Sequence, residues 1–321
     1  MFNRRTLLKG GLAAVAIQSM PVRAQGTKVS APFPIYDTHA HFYTNDRDKY
    51  PFKPDIQENA LSRAMTDPKT PEAVTSFWDE AGILMGTGVQ YNTTYNTDNS
   101  YLLDVCAANP ARFLPVVILS PTDAGTPDSL RRMAKENGIV GVRFMGRPEN
   151  GEYPFLSEAA VPVWQAVDEL GIAMVLMPFG GELNHALARI HEFATRFPGV
   201  NIVLDHLSFP DPAAYPDTFG LTPMHHALAA HRNIYYKITS YLTFLTLDAT
   251  HTDLKGFLDY TRNLYGTDRM VWGSDFGNTE GDHFAYLQRA VDATAEWSYA
   301  DRRAMFFDTA YRLFVPGGQT A

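Results

Sequence analysis

Apolar runs rich in β-branched residues recur along the chain at 34–42, 84–90, 113–120, 139–145, 172–178, 201–208, 234–240 and 270–276. Most are continuous rather than alternating, the pattern of parallel strands covered on the outside by helices. Between them lie segments whose apolar positions recur at three and four, among them 128–137, 158–170, 183–196 and 253–264, and these predict amphipathic helices. Strand and helix patterns in alternation, with no low-complexity tract or Pro/Gly/Ser linker to divide them, predict one α/β domain, a (β/α)8 TIM barrel.

A barrel of this kind builds its active site at the C-terminal ends of its strands, so the last residues of each run line one cavity. The first run closes on Asp37-Thr38-His39-Ala40-His41, and histidines two apart on a strand share a face. The fourth run carries Gly141-Val142-Arg143-Phe144 and, just beyond, Arg147; the sixth ends on Asp205-His206, the seventh on Tyr236-Lys237, and the eighth on Trp272-Gly273-Ser274-Asp275. Histidines, arginines and carboxylates therefore collect where barrel enzymes place their chemistry.

The first residues carry a different signal. Arg4-Arg5 precede a short apolar stretch at 10–17, and Val22-Arg23-Ala24 offers a small-x-small cleavage site. This predicts a Tat-type signal peptide at 1–24, a mature domain at 25–321 and a periplasmic location. Removing the segment takes four of the 27 basic residues and none of the 35 acidic ones, so the formal charge falls from −8 to −12. That balance argues against a nucleic-acid partner. No later apolar run predicts a stable membrane span. The single cysteine, Cys106, excludes an intramolecular disulfide, and nothing beside it predicts a nucleophile. Gly86 and Gly88 do not form a phosphate loop between strand and helix.

Taken together, Asp37-Thr38-His39-Ala40-His41, Gly141-Val142-Arg143-Phe144, Asp205-His206-Leu207 and Trp272-Gly273-Ser274-Asp275 resemble the amidohydrolase superfamily, in its amidohydrolase 2 family. Their order is similar to the branch holding 2-pyrone-4,6-dicarboxylate lactonase and sugar lactonases. A second branch with the same barrel holds aminocarboxymuconate-semialdehyde decarboxylase. The resemblance implies a divalent ion, zinc or manganese, held by His39, His41, Asp275 and a histidine on strand five. Strand five has Met177 at that position, and a thioether is a poor ligand for such ions. His185 lies too far into the following helix to replace it. Two options stay open: a site of three protein ligands plus water, or a metal-free centre.

The resemblance implies a hydrolase that opens a lactone. Asp275 is the expected general base, with His206, His39 and His41 polarising the carbonyl or relaying the proton. Arg143 and Arg147 suggest a small anionic lactone that is carboxylated, sulfonated or derived from a sugar acid, with a rim salt bridge as the alternative for Arg143. Tyr50, on the long loop after strand one, resembles a substrate-contacting tyrosine of the branch. Lys237 fits the branch pattern or forms a structural ion pair. His225, His226 and His231 read as a solvated helix surface. A metal-dependent decarboxylase and a non-catalytic exported binding protein are the competing classes, and the pattern leaves the oligomeric state open.

Overall fold

The computed structural model describes residues 28–180 and 183–318; the expected signal peptide at 1–24 lies outside them. Eight parallel strands run in sequential order: β1 (Ile35–Ala40), β2 (Ile83–Val89), β3 (Phe113–Ile118), β4 (Gly141–Gly146), β5 (Ala173–Pro178), β6 (Ile202–Leu204), β7 (Ile234–Thr239) and β8 (Met270–Gly273). The helices around them include α1 (Glu58–Thr66), α2 (Pro71–Ala81), α3 (Ser100–Ala108), α4 (Thr126–Asn137), α5 (Val161–Leu170), α6 (Leu183–Arg196), α7 (Pro223–Leu228), α8 (Leu254–Tyr265) and α9 (His283–Ala293). The chain forms the (β/α)8 barrel that its hydrophobic pattern predicts.

Alternation along the strands separates two cores. Tyr36, Val116, Ala173, Val175, Val203 and Val271 meet inside the barrel, and Phe307, Ala310 and Phe314 from the C-terminal segment pack against them. Outward-facing residues such as Val142, Leu176, Ile202 and Ile238 join Trp78, Trp164 and Leu258 beneath the helices. Gly82 ends α2 in the left-handed conformation, at φ 77°, and turns the chain directly into β2. A Cβ at Gly86 would stand 2.0 Å from the Asp37 carbonyl oxygen, so β1 and β2 approach closely only because that position is glycine.

The ring closes where β8 returns to β1, and there a single parallel bridge, Ala40 to Phe276, does the backbone pairing. Side chains complete the seam. Ser274 donates its backbone N–H at 2.8 Å and its hydroxyl at 2.5 Å to the two oxygens of Asp37. Thr38 donates from its hydroxyl to the Trp272 carbonyl at 2.7 Å. Asp37 also accepts from the Trp78 indole and the His39 amide, each at 3.0 Å. Burial outweighs these four donors and moves its carboxyl above the usual carboxylate range.

Three local expectations are corrected. The run at 201–208 is a strand only to Leu204; Asp205 to Ser208 form a tight turn in which His206, Leu207 and Ser208 have φ of 51°, 50° and 52°. The eighth run likewise stops at Gly273, and Asp275 has φ 52°. At both strand ends the backbone leaves the ladder, which an apolar pattern does not reveal. Third, α7 is not a solvated histidine face. His225 is fully buried, and its Nδ1 accepts from the Thr222 amide at 3.1 Å while its Nε2 donates to the Leu207 carbonyl at 3.2 Å. His226 meets the Tyr260 hydroxyl at 3.2 Å, and His231 pairs with His191 at 2.8 Å. Among the described residues no helix is long and apolar enough to cross a membrane.

Candidate active site

β1 and the residue just beyond its end deliver His39 and His41 to the mouth of the barrel. A register shift between Asp37 and Ala40 breaks simple alternation, so Asp37 serves the seam while His39 and His41 serve the cavity. His41 points its Nδ1 at the Val89 carbonyl, 2.8 Å away, so that nitrogen carries the proton and Nε2 presents a lone pair. The two Nε2 atoms of His39 and His41 are 3.1 Å apart. Each lies 3.4 Å from Oδ1 of Asp275.

That oxygen is buried and receives no hydrogen bond, whereas Oδ2 of Asp275 accepts from Thr279 at 2.6 Å and Asn278 at 2.9 Å. One carboxylate oxygen is thus fixed and the other aimed at two imidazole nitrogens. Three buried acceptor atoms around one point call for a proton or a cation between them. Ligands on a tetrahedral ion with bonds of about 2.0–2.1 Å stand roughly 3.3 Å apart, so His39, His41 and Asp275 fit a divalent ion as three of four ligands.

A second layer sets the state of His39. Its Nδ1 lies 3.5 Å from Oδ1 of Asp205 and 3.3 Å from the Lys237 ammonium. An acceptor and a donor at one nitrogen permit both tautomers: Nδ1–H facing Asp205 frees Nε2 for a cation, and Nε2–H bridges to His41. Asp205 itself is clamped between Lys237 at 2.8 Å and the Nε of Arg143 at 2.7 Å, all three buried. Burial alone would raise the Asp205 carboxyl, but Lys237, Arg143 and His39 hold it well below the usual range. Burial lowers Lys237, and Asp205 opposes that shift.

The other shifts follow from the same setting. Burial, reinforced by the Lys237 charge, lowers His39 well below the ordinary imidazole value. His206 is pushed down to about 4, chiefly by burial, so it is neutral at neutral pH. Burial would raise Asp275, but the imidazoles of His41, His39 and His206 around it lower its carboxyl strongly, and it stays ionised.

Above this floor opens a solvent-connected cavity of about 110 Å³. His41, His206, Asp275 and Arg143 form its reactive side; Met145, Met177, Phe209 and Tyr241 form an apolar wall; Tyr91, Asn92, Thr93 and Asn278 form a polar one. His206 is held by the Thr239 hydroxyl, 2.6 Å from its Nδ1, and packs on Tyr241 at 4.9 Å. Met177 pairs with Met145 across β5 and β4, and its sulfur accepts from Nη2 of Arg143 at 3.0 Å.

Of the residues predicted from sequence, the structure brings together His39, His41, Arg143, Asp205, His206, Lys237 and Asp275. Both ion-pair alternatives are present, for Arg143 and for Lys237, on the same partner. Tyr50 and Arg147 are not among the cavity-lining residues. The Tyr50 hydroxyl donates to Asp104 on α3 at 2.6 Å, and its ring packs on Tyr101 at 4.7 Å. Arg147 follows Gly146, where the chain leaves β4, and lies exposed over the Phe179 ring at 5.5 Å. The polar wall was missed, although the run Tyr91-Asn92-Thr93 directly after β2 is a legible signal. Asn278 and Thr279, which fix Asp275, lie in the loop after β8 and carried none.

Acidic, cationic and imidazole groups gathered at the C-terminal mouth of a (β/α)8 barrel define a hydrolase-type centre. The chain belongs to the amidohydrolase family, whose model, described as Amidohydrolase, matches residues 36–315. It is 27% identical over 315 residues to L-fucono-1,5-lactonase of Burkholderia ambifaria, covering 88% of this chain and 97% of that protein. Its fold is similar to a Pseudomonas putida structure provisionally assigned as a 2-pyrone-4,6-dicarboxylic acid hydrolase, with TM-score 0.71, 21% identity, and 89% and 98% of the two chains covered. It is also similar in fold to 5-carboxyvanillate decarboxylase from Novosphingobium aromaticivorans, a structure complexed with manganese, with TM-score 0.63, 15% identity, and 91% and 99% covered.

Proposed function

We propose that the protein is an ester-bond hydrolase that opens a lactone, with the attacking water activated beside Asp275. One observation carries the reading: a buried carboxylate oxygen without a donor converges with two imidazole nitrogens on the floor of a cavity open to solvent. The likeness to the fuconolactonase supports the same bond type.

In this reading His39, His41 and Asp275 hold a divalent ion such as zinc or manganese. Bound there, the ion would polarise the carbonyl and acidify water, an effect the strongly acidic Asp275 carboxylate needs because it is a weak base towards free water. Asp275 stays ionised and orients the water through Oδ1. Arg143, with Nε committed to Asp205 and Nη2 donating to the Met177 sulfur, lines the cavity and stabilises the carbonyl oxygen as it becomes anionic. His206, neutral and fixed by Thr239, accepts the water proton and returns it to the ring oxygen as the carbon–oxygen bond breaks. The product is the open-chain hydroxy acid.

Arg143 is the one cation lining the cavity among the described residues, and Asp205 offsets part of its charge. A lactone derived from a sugar acid, carrying hydroxyls and at most one anionic group, suits this site better than a dicarboxylate. The test is proton release from a panel of aldonolactones and a pyrone dicarboxylate, with chelator and then with zinc or manganese restored. Opening of an aldonolactone that chelator suppresses and metal restores is expected. Carbon dioxide release from an aromatic or muconate-type acid, without lactone opening, would replace the reading by decarboxylation.

A further inference from the structure

We propose that Asn92, on the loop after β2, determines specificity by reading ring hydroxyls of the lactone. The inference rests on the lactonase reading and goes beyond it in naming the group that distinguishes a hydroxylated ring from a bare one. Three observations carry it.

The loop is held rigid from several sides. Gln90 is buried and donates its amide to the carbonyls of Asn96, at 3.2 Å, and Asp98. Asn99 spans to β3, donating to the Ile118 carbonyl at 2.8 Å and accepting its N–H at 2.9 Å. Within the loop, Tyr95 donates its N–H to the Tyr91 carbonyl at 3.0 Å, and Asn96 donates to the Asn92 carbonyl at 3.2 Å. The backbone of Asn92 is therefore set before any ligand arrives, which limits the ordering cost of binding.

The loop is also joined to the reactive floor. Tyr91, one residue earlier, packs its ring on His41 at 4.8 Å and donates its hydroxyl to Asn278 at 3.3 Å. Asn278 in turn holds Oδ2 of Asp275. The position of Asn92 relative to the attacked carbonyl is thus fixed through packed and hydrogen-bonded groups.

Finally, Asn92 lines the cavity, and its carboxamide makes no side-chain hydrogen bond among the described residues. A carboxamide presents an acceptor and two donors side by side, the complement of adjacent hydroxyls. Met145, Met177 and Phe209, which also line the cavity, carry no such groups and suit the C–H face of the ring. A polyhydroxylated lactone has both faces; an unsubstituted one leaves the amide without a partner.

The experiment compares kcat/KM of the full chain for D-glucono-1,5-lactone and δ-valerolactone, corrected for spontaneous opening. Both share the six-membered ring, and only the first carries ring hydroxyls. The ratio of the two values is expected to fall about 10- to 100-fold in Asn92→Ala, the loss of one or two hydrogen bonds, and to fall less in Asn92→Ser, which keeps a hydroxyl. A ratio unchanged within about threefold in both variants overturns the inference, whether the two activities fall together or neither falls. Wild-type protein that opens the two lactones equally well also overturns it. Wild-type protein that opens neither removes the lactonase reading and this inference with it.

Discussion

Replacing Asp275 by asparagine separates chemistry from structure at this site. Asp275 has φ 52°, a left-handed conformation that Asp and Asn tolerate better than other side chains, so the turn survives the change. The amide oxygen can keep the bonds now donated by Thr279 at 2.6 Å and Asn278 at 2.9 Å. The amide nitrogen then takes the place of Oδ1, 3.4 Å from the Nε2 of His39 and of His41, and donates towards the two lone pairs that would otherwise face a cation. The variant loses the negative charge and the water-orienting acceptor together. Losing the carboxylate that orients the water and would help hold the cation is expected to cost as much as losing a general acid–base group, about 10²- to 10⁴-fold in rate. That is roughly 3–5 kcal/mol of transition-state stabilisation. Folding is expected to be unimpaired, because a buried charge is exchanged for a neutral group of the same shape. Asp275→Ala, by contrast, adds about 1–2 kcal/mol of left-handed strain. Proton release on an opened lactone, a thermal melt and the zinc and manganese content of the same preparation give the three readouts. An Asp275→Asn enzyme that keeps more than about a tenth of wild-type kcat/KM would sink the reasoning. So would a loss of activity that merely tracks a loss of the fold.

Three further outcomes follow from the geometry. Lys237→Met leaves Asp205 buried with Arg143 as its remaining ion partner; breaking a buried pair this way costs about 3–5 kcal/mol, so the denaturant midpoint should fall clearly, and an unchanged midpoint would contradict the clamp. Tyr50→Phe removes a hydrogen bond to the half-exposed Asp104, so stability should change by less than about 1 kcal/mol and KM should stay within threefold; a tenfold rise in KM would return Tyr50 to the site. His225, pushed down to about 4 by burial, is neutral in the fold, while the unfolded chain takes up its proton near pH 6.5. Its contribution is present above that pH and is lost as pH falls towards 4, so His225→Gln should flatten the fall of stability over this window by up to about 1.4 kcal/mol per pH unit, and equal slopes in denaturant titrations would refute the burial argument.

The barrel was legible because its strands are buried on both faces and read as unbroken apolar runs, and β7 at Ile234–Thr239 lies within the run predicted for it. The reactive residues were legible because strand ends in such a fold converge. What failed was whatever depends on the third dimension. Tyr50 and Arg147 carry the right chemistry, but the loop and the turn after Gly146 aim them elsewhere. The spacing of His225 and His226 says helix surface, yet α7 is so short that its capping imidazole faces the interior. The left-handed residues from His206 to Phe209 have no hydrophobic signature, although they turn His206 into the cavity.

The seam between β8 and β1 has a consequence for how the molecule comes into being. Ser274 and Asp37, whose contact helps close the ring, are 237 residues apart in the chain. During synthesis His39, His41, Arg143 and Asp205 are made well before Asp275, and until the last strand docks the Nε2 atoms of the two histidines face no carboxylate. The centre is completed in one late, long-range step of folding, and its closure entropy is offset only when the whole barrel is present. Catalysis in this protein is thus a reporter of ring closure. A nascent or truncated chain ending just before Asp275 has all eight strands and every reacting group but one, and it is silent.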